Sequence, residues 1–286
     1  MSSSRSEPRQ PSGPYDGRPL PGELADAIAR VRPRLGPLAT RIVYFETIGS
    51  TNDVAARLAA GSQSEGAIVI AEQQTAGRGR RGHSWYSPPG SGLYVSMVMA
   101  PGRAASEARR ATTLLTLAAG VALAEAVERV TALSPDVKWP NDLLVARRKL
   151  AGILAEAVTG TAASRHDPVV LGYGINVGPM AYPPELAGRA TSLETELGRS
   201  VDRAALCAET IASMAERYGD LLAGRFDAIL DAWRSRAPAS RGARVSWTTT
   251  SGDQTGVTEG IDDHGALLVR VGDRLERIVA GELRWW

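Results

Sequence analysis

A glycine- and arginine-rich run at residues 77–85 constrains the fold of this chain more than any other feature of its sequence. The run reads GRGRRGHSW and follows an apolar segment at residues 67–71 that predicts a buried strand. Its GxGxxG spacing matches the dinucleotide-binding pattern, which needs a helix directly after the glycines and an acidic residue about 20 positions later. The next letters, YSPPG, cannot form that helix, and no acidic residue lies between Glu72 and Glu107. The sequence therefore argues against a Rossmann-type site.

The three arginines of the run, Arg78, Arg80 and Arg81, favour an anion-binding loop. A guanidinium presents a planar fork that matches phosphate or carboxylate oxygens, and glycines allow backbone N–H groups to approach an anion closely. Trp85, in the same run, can stack on a nucleotide base. These features together indicate a nucleotide or an adenylate. The loop alone leaves open a solvated basic surface or an RNA-binding protein, because such runs are also common in basic tails.

The distribution of charge provides no global basic surface for nucleic acid. The formal net charge is +2, and residues 1–35 alone carry six arginines against four acidic residues, so the rest of the chain is neutral overall. Cys207 is the single cysteine, which excludes an intrachain disulfide. The N-terminal residues lack the apolar core of a secretory signal, and no stretch approaches 18 uncharged apolar residues. We therefore expect a cytoplasmic protein with neither a nucleic-acid nor a membrane partner.

Composition divides the chain into three expected regions. Residues 1–35 are predicted to be a tail, disordered in its proline-rich first part and with room for one short helix at 23–32. Residues 36–239 are predicted to form the main domain, of the α+β class with a mixed sheet, because its strands and helices intermix without a strict βαβ rhythm. Residues 240–286 carry short strands separated by glycine and aspartate turns, which predict a small barrel packed on the main domain.

Hydrophobic periodicity and turn residues predict the elements of the main domain. A four-residue polar stretch at 50–53 is predicted to cap the first helix of that domain, and Asp202 a later one. A turn is expected at Arg147 and Arg148. The predicted strands cover residues 41–47, 67–71, 93–99, 143–145, 150–157 and 169–173, and the predicted helices cover 54–60, 104–130, 202–223 and 226–235.

Five sequence blocks, taken in order, resemble those of the biotin protein ligases. They are STN at 50–52, EQQTAGRGR at 72–80, KWPND at 138–142, KLAGIL at 149–154 and GINV at 174–177. The resemblance covers about residues 45–176, and the small C-terminal barrel stands in the place usual for that family. Five blocks in the right order are far more specific than any one of them.

The resemblance implies a fold similar to the catalytic domain of class II aminoacyl-tRNA synthetases, with an SH3-like barrel appended. It implies that biotin and Mg-ATP form biotinyl-5′-AMP and that biotin then passes to a lysine of a biotin carboxyl carrier domain of an acyl-CoA carboxylase. Because the N-terminal region has room for a single helix, we expect a monofunctional enzyme without a DNA-binding domain. A lipoyl protein ligase, which uses the same two-step logic, stays open as the alternative.

The resemblance also assigns roles to individual residues. It implies that polar groups at the start of the first helix bind the biotin ureido ring and that Lys149 contacts both the biotin carboxylate and the α-phosphate. It also implies that Arg78, Arg80 and magnesium help to neutralise the negative charge of these two groups. No cysteine and histidine spacing suggests a protein metal cage, and Asp142 is the candidate to help hold the magnesium of ATP. The implied biotin-binding residues are Ser50, Thr51, Asn52, Gln74, Arg78, Gly79, Arg80 and Lys149, and the implied nucleotide-binding residues are Arg78, Arg80, Trp85, Asn141 and Asn176.

Overall fold

A computed structural model describes residues 17–61, 64–158, 168–249 and 252–285 of the chain. Residues 1–16 of the expected tail lie outside the described residues. The short helix predicted at 23–32 is present as α1 (Gly22–Val31). Its buried residues Leu24, Ala27 and Ile28 pack in the core of the main domain, so this helix belongs to the helical layer of that domain.

The remaining helices and strands follow in chain order. The helices are α2 (Thr51–Ala59), α3 (Ala108–Thr131), α4 (Leu193–Leu197), α5 (Arg203–Leu222) and α6 (Phe226–Arg236). The strands of the main domain are β1 (Arg41–Ile48), β2 (Ala67–Gln74), β3 (Gly92–Met99), β4 (Asp136–Lys138), β5 (Asp142–Val145), β6 (Arg148–Ala157) and β7 (Val169–Asn176). The C-terminal strands are β8 (Arg241–Thr249), β9 (Gly252–Ile261), β10 (Leu267–Val271), β11 (Arg274–Ile278) and β12 (Arg284–Trp285).

The main domain is built on a seven-stranded sheet in the order β1-β2-β3-β7-β6-β5-β4. Strands β1 and β2 are parallel and the other neighbours are antiparallel, which confirms the predicted mixed sheet. Alternate residues of a strand face opposite sides of a sheet. In β2, Ile68 and Ile70 therefore pack with α1, α3, α5 and α6, whereas Val69 packs with α2 on the other side.

Helix α3 forms the centre of the helical layer. It is long and apolar enough to cross a membrane by length and composition, but 78% of its most apolar window is buried inside the protein. Leu114, Val121 and Leu123 are fully buried in the main core, together with residues of α5 and α6. The helix is therefore a core helix of this domain.

The C-terminal strands form a separate five-stranded antiparallel sheet in the order β11-β10-β9-β8-β12, which confirms a small β domain at this end of the chain. Val245, Leu267 and Val269 belong to the same core as the main domain. The two sheets are thus packed together, as the small size of the second one requires.

Several local predictions were wrong. Helix α3 begins at residue 108 rather than 104, after Glu107 in a left-handed conformation with φ +46°. The turn between β5 and β6 uses Ala146 and Arg147, both with positive φ, instead of Arg147 and Arg148. Helix α2 begins at Thr51, before the predicted start, and its N-cap residue Ser50 makes no side-chain capping bond. Asp202 does cap α5, because its carboxylate accepts a hydrogen bond from the Ala205 N–H at 2.9 Å.

Candidate active site

Three glycines on β6 and β7 form an open floor on the face of the sheet that carries α2. Gly152 pairs with Gly174, and Leu154 pairs with Gly172, so the glycines are close neighbours on the antiparallel strands. A Cβ atom at Gly172 would lie 2.0 Å from Asn52 Oδ1, and one at Gly174 would lie 2.2 Å from Trp85 Nε1. Only glycine permits such close approach to the backbone. The name glycine floor is used below for Gly152, Gly172 and Gly174.

Trp85 lies on the glycine floor. A Cβ atom at Gly152 would lie 2.9 Å from Trp85 Cζ3, so the indole covers both Gly152 and Gly174. Lys149 Nζ is 5.4 Å from the centre of the indole ring, a distance at which a cation is attracted to the ring. The indole N–H is buried without a hydrogen-bond acceptor among the described residues. The predicted base-stacking residue therefore lies within the site, on its apolar surface.

The start of α2 carries a buried group of hydrogen-bonding side chains. Ser50, Thr51 and Asn52 are 2–5% exposed. Gln74 Oε1 accepts hydrogen bonds from the Thr51 N–H at 2.9 Å and from the Thr51 hydroxyl at 3.0 Å. The Ser96 hydroxyl contacts Thr51 Oγ1 at 2.7 Å and Asn52 Oδ1 at 2.5 Å. The structure thus brings together the four residues predicted for the ureido ring.

Arg78 lies beside this group and is held by carboxylates. Its Nη2 is 2.7 Å from Asp53 Oδ1 and 3.5 Å from Glu156 Oε2. The Asn52 amide donates to the same Glu156 carboxylate at 2.6 Å. The hydrogen bond and the charge of Asp53 raise the pKa of Arg78, although its partial burial opposes this. Arg78 is therefore a fixed cation at the edge of the glycine floor.

Lys149 and Asp142 form an ion pair at the other end of the floor, with Nζ 2.7 Å from Oδ1. The Lys149 backbone is fixed from both sides, since its N–H donates to Arg189 O at 2.8 Å and its carbonyl accepts from the Thr191 N–H at 3.0 Å. Asn176, which is 5% exposed, donates its amide to the carbonyls of Lys149 and Thr191. Asn176 thus holds the backbone that carries Lys149.

Arg80 is a half-buried cation without a carboxylate bonded to it in the described part of the chain. Its Nη1 donates to Asn141 Oδ1 at 3.2 Å. Burial and the neighbouring guanidinium of Arg81 lower the pKa of Arg80, against the opposing charges of Asp142 and Glu282. Arginine stays protonated all the same. Its unneutralised charge is suited to an incoming anion.

The glycine–arginine run folds as a hairpin whose turn is a short 3-10 segment at Arg80–Gly82, so no α-helix follows the glycines directly. Gly79 N donates to His83 O at 2.7 Å, and Trp85 N donates to Gly77 O at 2.8 Å. Arg81 has φ +55° and ψ +33°, and Gly82 has φ +79°, a pair of left-handed residues that makes the tight turn. His83, at the tip, is mostly exposed and lies 3.8 Å from Glu282.

The loop arm, which is the segment at residues 86–91 between the hairpin and β3, is anchored by residues that the sequence did not single out. Glu72 accepts a hydrogen bond from the Gly90 N–H at 2.8 Å and pairs with Arg203 at 2.9 Å. Burial alone would raise the pKa of Glu72, but the hydrogen bond and charge of Arg203 and the Gly90 N–H lower it overall. The Tyr94 hydroxyl donates to Pro88 O at 3.0 Å.

Sequence reasoning also missed Ser96, Glu156 and Asp53. Ser96 is a fully buried polar residue in the middle of the apolar strand β3, whereas Glu156 lies near the end of β6 with its side chain 41% exposed. A lone polar residue inside a buried strand needs a partner, so Ser96 could have been predicted as a site residue. Within the described ranges, no group of three or more His, Cys, Asp or Glu side chains could hold a metal ion.

Comparisons with known proteins match the part of the chain that carries this site. The profile described as the biotin/lipoate A/B protein ligase family matches residues 44–176, and the profile of the biotin protein ligase C-terminal domain matches residues 242–283. The first match contains the glycine floor, the hairpin and Lys149. The second covers most of the C-terminal sheet.

Individual relatives match along most of their length. The bifunctional ligase/repressor BirA of Bacillus subtilis is 32% identical over 265 residues, which cover 92% of this chain and 79% of that protein. The biotin–[acetyl-CoA-carboxylase] ligase of Mycobacterium tuberculosis is 35% identical over 251 residues, covering 82% of this chain and 85% of that protein. The structure of a biotin protein ligase from Aquifex aeolicus in complex with biotin and ATP aligns with a TM-score of 0.73 at 27% identity, covering 86% of this chain and 99% of that one.

The fold, the site and these matches define an enzyme of the biotin/lipoate A/B protein ligase family, and the chain belongs to that family. Within it, the chain is a biotin protein ligase. The activity of this class is ATP-dependent formation of biotinyl-5′-AMP followed by transfer of biotin to a protein lysine.

Proposed function

We propose that the residues around the glycine floor carry both half-reactions of this ligase. In the first, a biotin carboxylate oxygen attacks the α-phosphorus of ATP and pyrophosphate leaves. In the second, a lysine amine attacks the acyl carbonyl, AMP leaves and the amine loses a proton. The observation that carries the proposal is the grouping of Lys149, Arg80 and Trp85 at one end of the floor, with the buried polar group of α2 at the other.

The polar group of α2 binds the biotin ureido ring. Biotin is a compact and mostly apolar ligand, and such ligands are oriented by a few convergent hydrogen-bonding groups in an apolar pocket. Ser50, Thr51, Asn52 and Gln74 are such groups, and their burial supports this role. The apolar rings of biotin then pack beside the glycine floor, against the indole of Trp85 that covers it.

The cations of the site counter the repulsion between the biotin carboxylate and the α-phosphate. Fixed positive groups stabilise the negative charge that increases in the transition state. Lys149 contacts both anions and Arg80 approaches them from the hairpin, with the Gly79 backbone beside it. Arg78, held by Asp53 and Glu156 at the α2 end of the floor, adds positive charge from farther away. The lowered pKa of Arg80, caused by burial and by Arg81, supports a cation that gains from a bound anion.

Asp142 is the residue that would hold the magnesium ion that accompanies ATP. Asp142 fits as the protein ligand, because Oδ1 is buried and makes no hydrogen bond beyond its ion pair with Lys149 among the described residues. One carboxylate is enough where phosphates and water supply the other oxygens. When bound, magnesium supplies positive charge to the phosphates. Asp142 is also placed to orient the incoming lysine amine.

The nucleotide part of the intermediate lies between the hairpin and the ends of β5 and β7. Asn141 orients Arg80, and Asn176 fixes the backbone of Lys149, so both act close to the nucleotide. Trp85 borders the same space and offers a face for stacking. These positions support the nucleotide-binding roles proposed for the three residues.

The loop at residues 77–90, which includes the hairpin, covers the intermediate. A mixed anhydride hydrolyses in water, so the site must exclude water after the first step. Arg78 fastens the hairpin to α2 and β6 through Asp53 and Glu156. Arg78→Ala should therefore release free biotinyl-AMP, which chromatography of the reaction mixture without acceptor would detect. Leakage equal to that of the unaltered enzyme would contradict a covering role.

The acceptor is a biotin carboxyl carrier domain of an acyl-CoA carboxylase. The Mycobacterium tuberculosis and Paracoccus denitrificans relatives are named as biotin–[acetyl-CoA-carboxylase] ligases, which supports this class of partner. We place the reaction in the cytoplasm, without nucleic acid or membrane as a partner.

Mass spectrometry of a carrier domain incubated with this protein, biotin and Mg-ATP tests the proposal. The expected result is one biotinyl increment on a lysine, dependent on ATP. A parallel incubation with lipoate should leave the carrier unmodified. Transfer of lipoate but not of biotin would assign the chain to the lipoyl branch of the family.

A further inference from the structure

The segment at residues 138–142 connects the catalytic centre to the C-terminal sheet. Its first two residues contact the C-terminal sheet and its last two contact Arg80 and Lys149. Because the segment is only five residues long, a contact that fixes Trp139 also restricts the positions of Asn141 and Asp142.

Trp139 makes the main contact with the C-terminal sheet. Its side chain is buried, with 3% of the residue exposed, and its indole N–H donates to Gly265 O at 3.0 Å. The preceding residue, Lys138, places Nζ 5.6 Å from the centre of the Trp285 ring. Both residues therefore join the two parts of the protein.

The acceptor in this contact is held rigidly. Asp262 accepts hydrogen bonds from the N–H groups of His264 and Ala266, each at 2.9 Å, and pairs with Arg277. Gly265 has φ +80°, and a Cβ atom there would lie 2.7 Å from Leu117 Cδ1 of α3. The turn is thus closed on itself and pressed against the main domain, so the position of Gly265 O is fixed.

The other side of the segment holds the charged groups of the site. Lys138 and Asp142 are paired across β4 and β5, which leaves a loop of three residues that begins with Trp139. Asn141 is bonded twice to Ile153 of β6, through its carbonyl at 2.9 Å and its amide at 2.8 Å. Asn141 Oδ1 accepts a hydrogen bond from Arg80, and the Asp142 carboxylate forms an ion pair with Lys149.

We propose that Trp139 is a positioning residue, through which the C-terminal sheet holds Asn141 and Asp142, and with them Arg80 and Lys149, in their reactive arrangement. Loss of the indole N–H frees the three-residue loop on one side while its apolar packing remains. The cations then sample positions away from the reacting groups, and misplacement of this kind lowers turnover more than binding. The inference rests on the proposed roles of Arg80 and Lys149.

The test compares Trp139→Phe with Trp233→Phe. Trp233 is a matched control because it is fully buried in α6 and its indole N–H has no acceptor among the described residues, so only packing changes there. Trp139→Phe is expected to lower kcat for biotinyl-AMP formation about tenfold and to leave the KM for biotin within about twofold. The biotin KM should hold because Thr51 and Gln74 lie on α2 and β2, away from this loop. Trp233→Phe should keep the original kcat.

Hydrogen exchange supplies a second measurement that does not depend on activity. The Ile153 amide, which donates to Asn141 O, should exchange faster in Trp139→Phe than in Trp233→Phe. Equal kcat in the two variants overturns the proposal, as does unchanged exchange at Ile153. If Trp139→Phe does not fold, Gly265→Ala displaces the acceptor from the other side and is expected to give the same two results. An unaltered enzyme that forms no biotinyl-AMP would refute the proposed function, while the exchange comparison would still test this contact.

Discussion

Lys149 Nζ lies 2.7 Å from Asp142 Oδ1, across the hairpin that β5 and β6 form. The two residues come from different sequence blocks, and the hairpin makes them neighbours at the end of the glycine floor. The carboxylate holds the ammonium group at the end of the floor where the proposed reaction brings two anions together. The pair therefore fixes the position of the lysine side chain.

Lys149→Ala should lower kcat for biotinyl-AMP formation by about 100-fold or more, because a fixed charge at the reacting phosphate acts mainly in the transition state. The Kd for biotin should change by less than about tenfold, since the ureido contacts remain. Rapid-quench kinetics and calorimetric titration with biotin measure the two effects. Arg148→Ala is the control, because the neighbouring side chain faces the opposite side of the strand and pairs with Glu196. A loss of affinity without loss of kcat would reduce Lys149 to a ground-state contact.

Gly174→Ala should weaken biotin binding by about tenfold or more. The added Cβ would lie 2.2 Å from Trp85 Nε1 and would push the indole into the space that the ligand occupies. Tryptophan fluorescence or calorimetry during a biotin titration reports the affinity. Gly219→Ala is the matched control, since it lies in α5 with no atom near its missing Cβ, and alanine there favours the helix. Equal affinities of the two variants would show that the ligand does not use this surface.

Much of the fold and the site could be predicted from the sequence because the signals were local. The apolar runs of β2 and β3, the cap at Asp202 and the blocks with Lys149 and Asp142 each act over a few residues. The mixed sheet then followed from the irregular order of strands and helices.

The rest depends on contacts between distant parts of the chain. Ser96 is 44 residues from Asn52, and Glu72 is 131 residues from Arg203, so no local pattern pairs them. The position predicted for the turn between β5 and β6 was wrong by one residue, because neither Ala146 nor Arg147 is of a type that usually adopts positive φ. Trp85 reaches the glycine floor only because the hairpin folds back over β6 and β7, and no local sequence pattern specifies that arrangement.

Ser96→Ala should cost about 1–3 kcal/mol of stability and weaken biotin binding. The substitution removes the hydroxyl that contacts Thr51 and Asn52, and the remaining buried polar atoms lose a partner. Denaturant unfolding and a biotin titration measure the two consequences. Ser213→Ala is the control, because that hydroxyl is equally buried but contacts Arg129 on the helical side. It should lose stability and keep its biotin affinity. An unchanged affinity in Ser96→Ala would remove Ser96 from the biotin site.

Glu72→Gln should destabilise the protein by about 1–3 kcal/mol at neutral pH, because Arg203 loses its carboxylate partner in a partly buried position. The effect should depend on pH. The pKa of Glu72 is lower in the folded protein than its ordinary value of 4.5, so its contribution to stability is complete above pH 4.5 and disappears as the pH falls through the folded value.

Urea unfolding of both proteins between pH 7 and pH 3 measures this dependence. The gap between their free energies of unfolding should be constant down to about pH 5 and should close below it. Glu46→Gln is the control, since its pair with Arg18 is about 60% exposed on both sides and contributes little at any pH. A gap that stays constant to pH 3 would mean that the charge of Glu72 is not what holds the loop arm. Because Glu72 also accepts a hydrogen bond from the Gly90 N–H, the loss of stability in Glu72→Gln should be accompanied by faster hydrogen exchange of the Gly90 amide.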